Sequence, residues 1–106
     1  MKKALQAVLA FRDARDWKQF HNHKDLAVAI SVEANELLAE FLWKSPDAAD
    51  RDKVRDELAD IMSYCLLMAH GYGFDPESIV LDKVSRNEER YPVSKSKGNA
   101  KKHSEL

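Results

Sequence analysis

The chain is poor in the residues that interrupt helices and in those that cross-link small domains. Its 106 residues include only 3 glycines, 3 prolines and 1 cysteine. So few glycines and prolines favour long uninterrupted helices, and a lone Cys65 excludes an intrachain disulfide and fits a reducing compartment. No apolar run is long enough to span a membrane, and the apolar stretch near the N-terminus has no signal-peptide cleavage site after it. We therefore expect a cytoplasmic helical protein.

The charges nearly cancel over the whole chain but are unevenly distributed. A net charge of -1 gives no reason to expect a nucleic-acid polymer or an anionic membrane as partner. Residues 92–106 carry four lysines against one glutamate, which leaves an acidic body and a basic tail. The expected organisation is one helical domain over residues 1–91 and an irregular tail over residues 92–106. That tail is either a frayed terminus or a source of lysines for a phosphate-bearing ligand.

Hydrophobic periodicity and capping signals predict four helices. Asn22 is the expected cap of the second helix, and Ser45–Pro46 and Asp75–Pro76 begin the third and fourth by a cap-then-proline signal. Cys65 lies on the apolar stripe of the third helix, so we expect its side chain to be buried. The expected bounds are residues 2–16, 22–44, 45–73 and 75–91, and the first helix has Leu5, Val8, Leu9 and Arg12 at helical spacing.

Two acidic pairs lie on the second and third predicted helices. Glu33 and Glu36 are three residues apart, as are Glu57 and Asp60, so each pair shares one face of its helix. Both pairs are embedded in apolar residues, where carboxylates repel one another and lose hydration. A divalent cation removes that cost, and oxygen ligands favour Mg²⁺. The spacing alone is equally compatible with some of these acids being surface charges.

A di-iron carboxylate bundle also collects acids from facing helices, but it requires a Glu-x-x-His motif on two of them. The chain has four histidines, and none of them follows a glutamate by three residues; they are His21, His23, His70 and His103. Without nitrogen ligands near the acidic pairs, the chemistry of a hard cation is favoured over that of a redox-active transition metal.

Aromatic and basic side chains supply candidates for ligand binding. Trp17 and Phe20 lie in a loop without a clear period, where they either pin the loop to the core or form a flat wall for a base. Lys83, Asn87 and Arg90 share one face of the fourth predicted helix. That face is either a phosphate-binding surface or an ordinary solvated one.

From about Phe11 to Leu106 the chain resembles the MazG-like all-α nucleoside triphosphate pyrophosphatases, and within them the dCTP pyrophosphatase branch. The paired acids are the family signature, and the tryptophan loop and the Arg-Tyr-Pro ending are typical of that branch. The segments that carry the resemblance are residues 15–21 (RDWKQFH), Glu33 with Glu36, residues 41–44 (FLWK), Glu57 with Asp60 and Tyr64, Asp82–Lys83, residues 87–92 (NEERYP) and residues 102–106 (KHSEL).

The resemblance implies an all-α, four-helix subunit that assembles into a homotetramer, a dimer of dimers forming one helical bundle. It implies Mg²⁺-dependent hydrolysis of a nucleoside triphosphate, dCTP or a modified dCTP, to a monophosphate and pyrophosphate. The implied metal ligands are Glu33, Glu36, Glu57 and Asp60, with Glu36 and Glu57 as catalytic residues. The implied substrate contacts are Trp17, Trp43 and Tyr64 for the base or sugar, Lys83, Asn87 and Arg90 for the phosphates, and His21, Lys44 and Tyr91 within the matched segments.

One position departs from the family pattern. A histidine on the first helix that contacts the base in the family corresponds here to Val8, which leaves the base preference open. The rival hypothesis from another functional class is a non-catalytic helical module whose acids bind a basic partner. Release of pyrophosphate from a panel of nucleotides discriminates the two, because an interaction module has no reason to hydrolyse any of them.

Overall fold

A computed structural model describes residues 1–106, and it contains helices and no strand. The all-α prediction is therefore confirmed. The helices are α1 (Lys2–Ala14), α2 (His23–Ala39), α3 (Arg51–Gly71), α4 (Pro76–Arg90) and the single turn α5 (Val93–Ser96), with short 3₁₀ turns at Lys18–Phe20, Pro46–Ala48 and His103–Glu105. The tail is thus less irregular than expected, since α5 and the last 3₁₀ turn lie within it. None of the helices is both long and apolar enough to cross a bilayer.

The chain forms two compact units, Met1–Gly73 and Phe74–Leu106. In the first unit α3 is the central element, because both α2 and α1 pack against it. The second unit holds α4, α5 and the tail, where the rings of Tyr91 and His103 meet edge to face with centroids 5.8 Å apart. The boundary expected at residue 91 stays a prediction. The buried apolar side chains of the core all lie on α2 and α3, and they are Leu26, Leu66, Leu67 and Ala69.

Local capping signals set the start of α2 and of α4. The Asn22 side chain accepts a hydrogen bond from the backbone N–H of Asp25 at 2.8 Å, and the Asp75 carboxylate accepts one from the backbone N–H of Ser78 at 2.9 Å. Each bond satisfies a helix-end donor that would otherwise lack a partner. Both predicted caps are confirmed, and Gly73 adopts the left-handed φ of +75° just after α3 ends.

The segment between α2 and α3 was predicted wrongly. α2 ends at Ala39 and not at Lys44, because the backbone tightens into i→i−3 hydrogen bonds such as Phe41 N–H to Leu38 O at 3.0 Å. The Ser45–Pro46 signal produces only the turn Pro46–Ala48. α3 begins five residues later than Pro46, at Arg51, because Asp50 accepts from two backbone N–H groups there and is the better cap.

Several apolar side chains of α2 and α3 remain exposed in the single chain. Cys65 is exposed and not buried as expected, since α3 directs Leu66, Leu67 and Ala69 to the core instead. Val28 and Val32 on α2 and Met62 on α3 are each about half exposed. An uncovered apolar face of this extent is typical of a surface that another chain covers.

Candidate active site

Three carboxylates from two helices converge in the first unit. Glu33 and Glu36 lie one turn apart on α2, and Glu57 lies on α3, which packs against it. One carboxylate oxygen from each of the three lies within 4.8 Å of the other two. We call Glu33, Glu36 and Glu57 the acid cluster. Spacing predicted that each pair would share a helix face, and packing of α2 on α3 brings the two faces together.

The acid cluster is electrostatically unfavourable when all its members are charged. The Oε2 atoms of Glu33 and Glu57 are buried and have no hydrogen-bond donor in the protein. Burial, then sharing of a proton with Glu57 and with Glu36, raises the pKa of Glu33 to about 7. A hydrogen bond from Glu33 lowers the pKa of Glu57, but its burial and the charges of Glu36 and Asp60 outweigh this and leave that pKa raised. Two deprotonated carboxylates have no hydrogen to share, so the bond exists only while one of them keeps its proton.

The donor set of the acid cluster fits a hard divalent cation. It offers only carboxylate oxygens, the ligands that Mg²⁺ prefers, and two of these oxygens are buried without a partner. Glu36 is exposed, so the cluster is open to solvent on one side. Asp60, the fourth ligand expected from the sequence, is not among the converging three. It is near enough that its charge helps to raise the pKa of Glu33, and its role as a ligand stays a prediction.

A cavity of about 370 Å³ lies between α1, the turn that follows it, and α3. This volume is in the range of small-ligand sites. Asp60 lines the cavity and also acts on the acid cluster, so the two features adjoin. The lining residues are Ala7, Val8, Phe11, Arg12, Trp17, Asp60, Ser63, Tyr64 and Leu67.

The aromatic wall of the cavity is held by contacts within α1 and the turn after it. Asp16 adopts a left-handed φ of +55°, which turns the chain back. The backbone N–H of Trp17 consequently donates a hydrogen bond to the backbone oxygen of Arg12 at 3.1 Å. The Trp17 ring then meets Phe11 edge to face at 5.6 Å, and the Arg15 guanidinium lies 3.7 Å from the Phe11 ring centroid. Trp17 is therefore presented as a fixed wall, while remaining 43% exposed.

Tyr64 lines this cavity and contacts His21, which is not itself a lining residue. Their rings are edge to face, with centroids 6.4 Å apart, and the His21 Nδ1 atom is buried without a hydrogen-bond partner. Burial and the charges of Glu33, Asp60 and Glu36 raise the pKa of Tyr64 above its ordinary value. Its hydroxyl consequently keeps its proton and can donate a hydrogen bond.

The other residues expected at the substrate are not brought to this cavity within the first unit. Trp43 is fully exposed, at 101%, and its φ is +61°; Lys44 follows it in the same loop. Lys83, Asn87 and Arg90 lie on α4, and Tyr91 follows it, all in the second unit. Their roles stay predictions.

Sequence reasoning missed Arg12 as a site residue. It is the one charged residue among the buried ones, at 8% exposure, and it lines the cavity. The signal was present, because Arg12 occupies the apolar stripe of α1 together with Leu5, Val8 and Leu9. A charged residue on an apolar stripe is unusual, and that position is the sequence signal for Arg12.

Comparison with known proteins agrees with this geometry. The sequence pattern described as "MazG-like family" matches residues 28–106. The chain is 36% identical over 104 residues to dCTP pyrophosphatase 1 of Mus musculus and 31% identical to that of Homo sapiens. In both cases 91% of this chain is covered, and the chain spans 61% of the relative's length. A crystal structure of a pyrophosphatase from Archaeoglobus fulgidus superimposes with a TM-score of 0.81 at 33% identity, covering 87% of this chain and 92% of that one. The chain belongs to the MazG-like family.

Proposed function

We propose that this protein is a Mg²⁺-dependent nucleoside triphosphate pyrophosphohydrolase that releases a nucleoside monophosphate and pyrophosphate. The observation that carries the proposal is the acid cluster, with two buried oxygens lacking donors, beside a cavity walled by Trp17. A triphosphate ligand has a charged end that suits a cation site and a flat base that suits an aromatic wall. The names of the mouse and human relatives support dCTP or a modified dCTP as the substrate.

The acid cluster would hold the cation through Glu33, Glu36 and Glu57, with Asp60 as the proposed fourth ligand. A bound Mg²⁺ supplies Lewis-acid polarisation of phosphoryl oxygens and neutralises charge on the triphosphate. The helices fix the carboxylates in place before substrate arrives, since α2 and α3 position them through backbone structure and not through flexible loops. Preorganisation of this kind reduces the reorganisation needed during the reaction.

Glu36 and Glu57 are the proposed catalytic residues. Glu36 is the exposed member of the acid cluster, so a water molecule can reach its carboxylate. We propose that Glu36 accepts the proton of the water that attacks the α-phosphorus, while pyrophosphate leaves. Glu57 shares a proton with Glu33 when no cation is bound, and its deprotonated carboxylate would be one of the oxygens that hold the cation beside the reacting phosphate.

The cavity is the proposed base site. Trp17 offers a stacking face, Tyr64 a hydroxyl donor and His21 a buried ring nitrogen beside it. Stacking on an aromatic side chain contributes roughly 1–3 kcal/mol for each base. We further propose that Trp43 and Lys44 add base contacts, and that Lys83, Asn87, Arg90 and Tyr91 act on the phosphates, as the family resemblance implies.

A homotetramer is the proposed assembly, and a cytoplasmic location is the proposed setting. The half-exposed apolar side chains on α2 and α3, together with the exposed Leu42, support a partner chain. Sedimentation of the purified protein checks the assembly directly, with a tetramer expected and a monomer contradicting it.

A pyrophosphate-release assay tests the function. The purified chain is incubated with dCTP, dTTP, dGTP and dATP, each with Mg²⁺ and with EDTA. Release of pyrophosphate is expected with Mg²⁺ only, and most rapidly from dCTP. Absence of release from every nucleotide, with the helical content intact, would contradict the proposal and favour a non-catalytic interaction module.

A further inference from the structure

Arg12 is a charged side chain held inside the first unit, on the wall of the cavity. Its side chain is 10% exposed, and every other buried residue of the core is apolar. Long charged side chains are almost never buried this far without strong partners. The placement of Arg12 therefore needs an explanation in terms of its partners.

The protein supplies only a weak partner. Nε and Nη2 of Arg12 both contact Oδ1 of Asp13, each at 2.9 Å, and the Arg12 side chain makes no other hydrogen bond or ion pair. The Asp13 side chain is 58% exposed, and ion pairs with an exposed member contribute little to stability. The Nη1 amino group, with two N–H donors, has no protein acceptor and is not among the fully buried unpaired atoms, so its donors are open to solvent or to a ligand.

The walls of the cavity differ in hydrogen-bonding character. Ala7, Val8 and Phe11 of α1 are apolar, and Arg12 is the polar group that α1 contributes. On the α3 wall Asp60 is an acceptor, and the Ser63 hydroxyl already donates to Ala59 O at 2.8 Å. Arg12 is thus the donor-bearing residue of one wall, and the other wall holds an acceptor at Asp60 and a hydroxyl donor at Tyr64. A nucleobase edge, which carries both acceptors and donors, complements this arrangement.

We propose that Arg12 is a specificity-determining residue that donates a hydrogen bond from Nη1 to a carbonyl oxygen of the bound base. The inference rests on the proposed function for the presence of a nucleotide, and it adds the residue that reads the base. Arginine has donors and no acceptor, so it favours bases that present a carbonyl oxygen. Cytosine has one and thymine has two, whereas adenine has none, so binding of adenine should depend least on Arg12.

Equilibrium binding of deoxynucleosides tests the assignment without metal or hydrolysis. The full chain in EDTA is titrated with deoxycytidine, thymidine and deoxyadenosine, and the indole N–H signal of Trp17 is followed by NMR. Arg12→Met keeps the length and packing of the stem and removes the donors. It should weaken binding of deoxycytidine and thymidine about tenfold, the loss expected for one charge-assisted hydrogen bond, and should change deoxyadenosine binding much less.

Two variants separate base reading from a structural ion pair. Arg51→Met removes an exposed arginine outside the cavity and should leave all three affinities unchanged. Asp13→Asn breaks the ion pair but keeps Nη1, so it should retain the parent's preference for carbonyl bases. If Arg12→Met does not fold, Arg12→Lys replaces it, and a reduced preference is again expected because an ammonium lacks the planar fork of arginine.

The assignment would be overturned if the parent and the Arg12 variant bound deoxycytidine and thymidine with equal affinity. It would also be overturned if Asp13→Asn lost as much affinity for these two deoxynucleosides as Arg12→Met. A parent that binds none of the three deoxynucleosides would also overturn it. The proposed function fails differently. A parent that binds deoxycytidine through Arg12, yet releases no pyrophosphate from dCTP, would support the base reading and contradict hydrolysis.

Discussion

Helix α3 contributes to both the acid cluster and the cavity beside it. The acid cluster and the aromatic wall of the cavity differ in whether contacts within the chain satisfy their side chains. In the cavity the aromatic wall is complete, because Phe11, Trp17 and Arg15 hold one another through ring and cation contacts. In the acid cluster, Glu33 and Glu57 keep buried oxygens without donors. The aromatic wall of the cavity is thus satisfied by contacts within the chain, whereas the acid cluster is stable only with a proton or a cation between its carboxylates.

This difference indicates that the acid cluster needs a ligand to satisfy its buried oxygens, whereas the aromatic wall does not. A surface that the chain already satisfies can select a ligand by shape and stacking. A dication that binds the unsatisfied acid cluster stabilises the folded chain, so binding of the cation should raise the stability of the protein. Substitutions that change one region and leave the other intact distinguish their roles.

The largest expected effect comes from neutralising the acid cluster. Glu36→Gln or Glu57→Gln should lower kcat for dCTP on the order of a hundred- to a thousandfold, because preorganised charge at the reacting phosphate is lost. Steady-state pyrophosphate release measures this effect. Asp56→Asn is the matched control, since Asp56 is an exposed neighbour of Glu57 outside the cluster. If either cluster variant hydrolysed dCTP at the rate of the control, the role assigned to the acid cluster would be wrong.

Truncating the cavity wall should affect binding more than turnover. Trp17→Ala should raise KM for dCTP about tenfold through loss of stacking, with a much smaller change in kcat. Phe20→Ala is the matched control, because Phe20 is an aromatic residue of the same turn, 62% exposed, that does not line the cavity. If both variants raise KM equally, the wall assigned to Trp17 is wrong.

The raised pKa of Glu33, about 7 against an ordinary 4.5, predicts a pH dependence of stability. The folded chain holds this proton more tightly than the unfolded chain, so the stabilisation is fully present below the unfolded pKa and is lost as pH rises through the folded pKa. In EDTA, the melting temperature should therefore fall between about pH 5 and about pH 8. Thermal melts at a series of pH values measure the fall.

Glu33→Gln is the variant that checks the origin of this fall, because glutamine cannot titrate. The melting temperature of this variant should depend much less on pH. In the parent, Mg²⁺ should restore the melting temperature at the upper pH values, since deprotonated carboxylates bind the cation. An unchanged pH profile in Glu33→Gln would show that other groups cause the fall.

The smallest expected effect concerns Trp43. Trp43 has a left-handed φ of +61° and is fully exposed, a conformation that costs an L-residue about 1 kcal/mol or more. Trp43→Gly should relieve it and stabilise the chain by up to about 1 kcal/mol in denaturant unfolding, whereas Trp43→Ala keeps the strain. A clear loss of stability in Trp43→Gly would indicate that another surface covers this side chain in solution.

Features that depend only on residues close together in the sequence were predicted correctly. The caps Asn22 and Asp75 depend on a side chain and a backbone N–H three residues away, and the convergence of Glu33 with Glu36 depends on one helical turn. Competition between neighbouring signals was not resolved, because Pro46 and Asp50 both favour a helix start and only the structure identifies Asp50 as the cap of α3.

Features that depend on distant contacts were beyond sequence reasoning. The cavity exists because Asp16 turns the chain and Trp17 returns to Phe11, which no period of the sequence encodes. Burial of Arg12 and exposure of Cys65 depend on which faces α3 and α1 present to each other. Stripe positions alone predicted the opposite for Cys65 and left Arg12 unnoticed.

Calorimetric titration of Mg²⁺ into the metal-free chain above pH 7 tests the central claim most directly. We predict saturable binding that is lost in Glu33→Gln and in Glu57→Gln and is retained in Asp56→Asn. Mg²⁺ binding of equal strength in the parent and in both cluster variants, or no binding to the parent, would contradict the account.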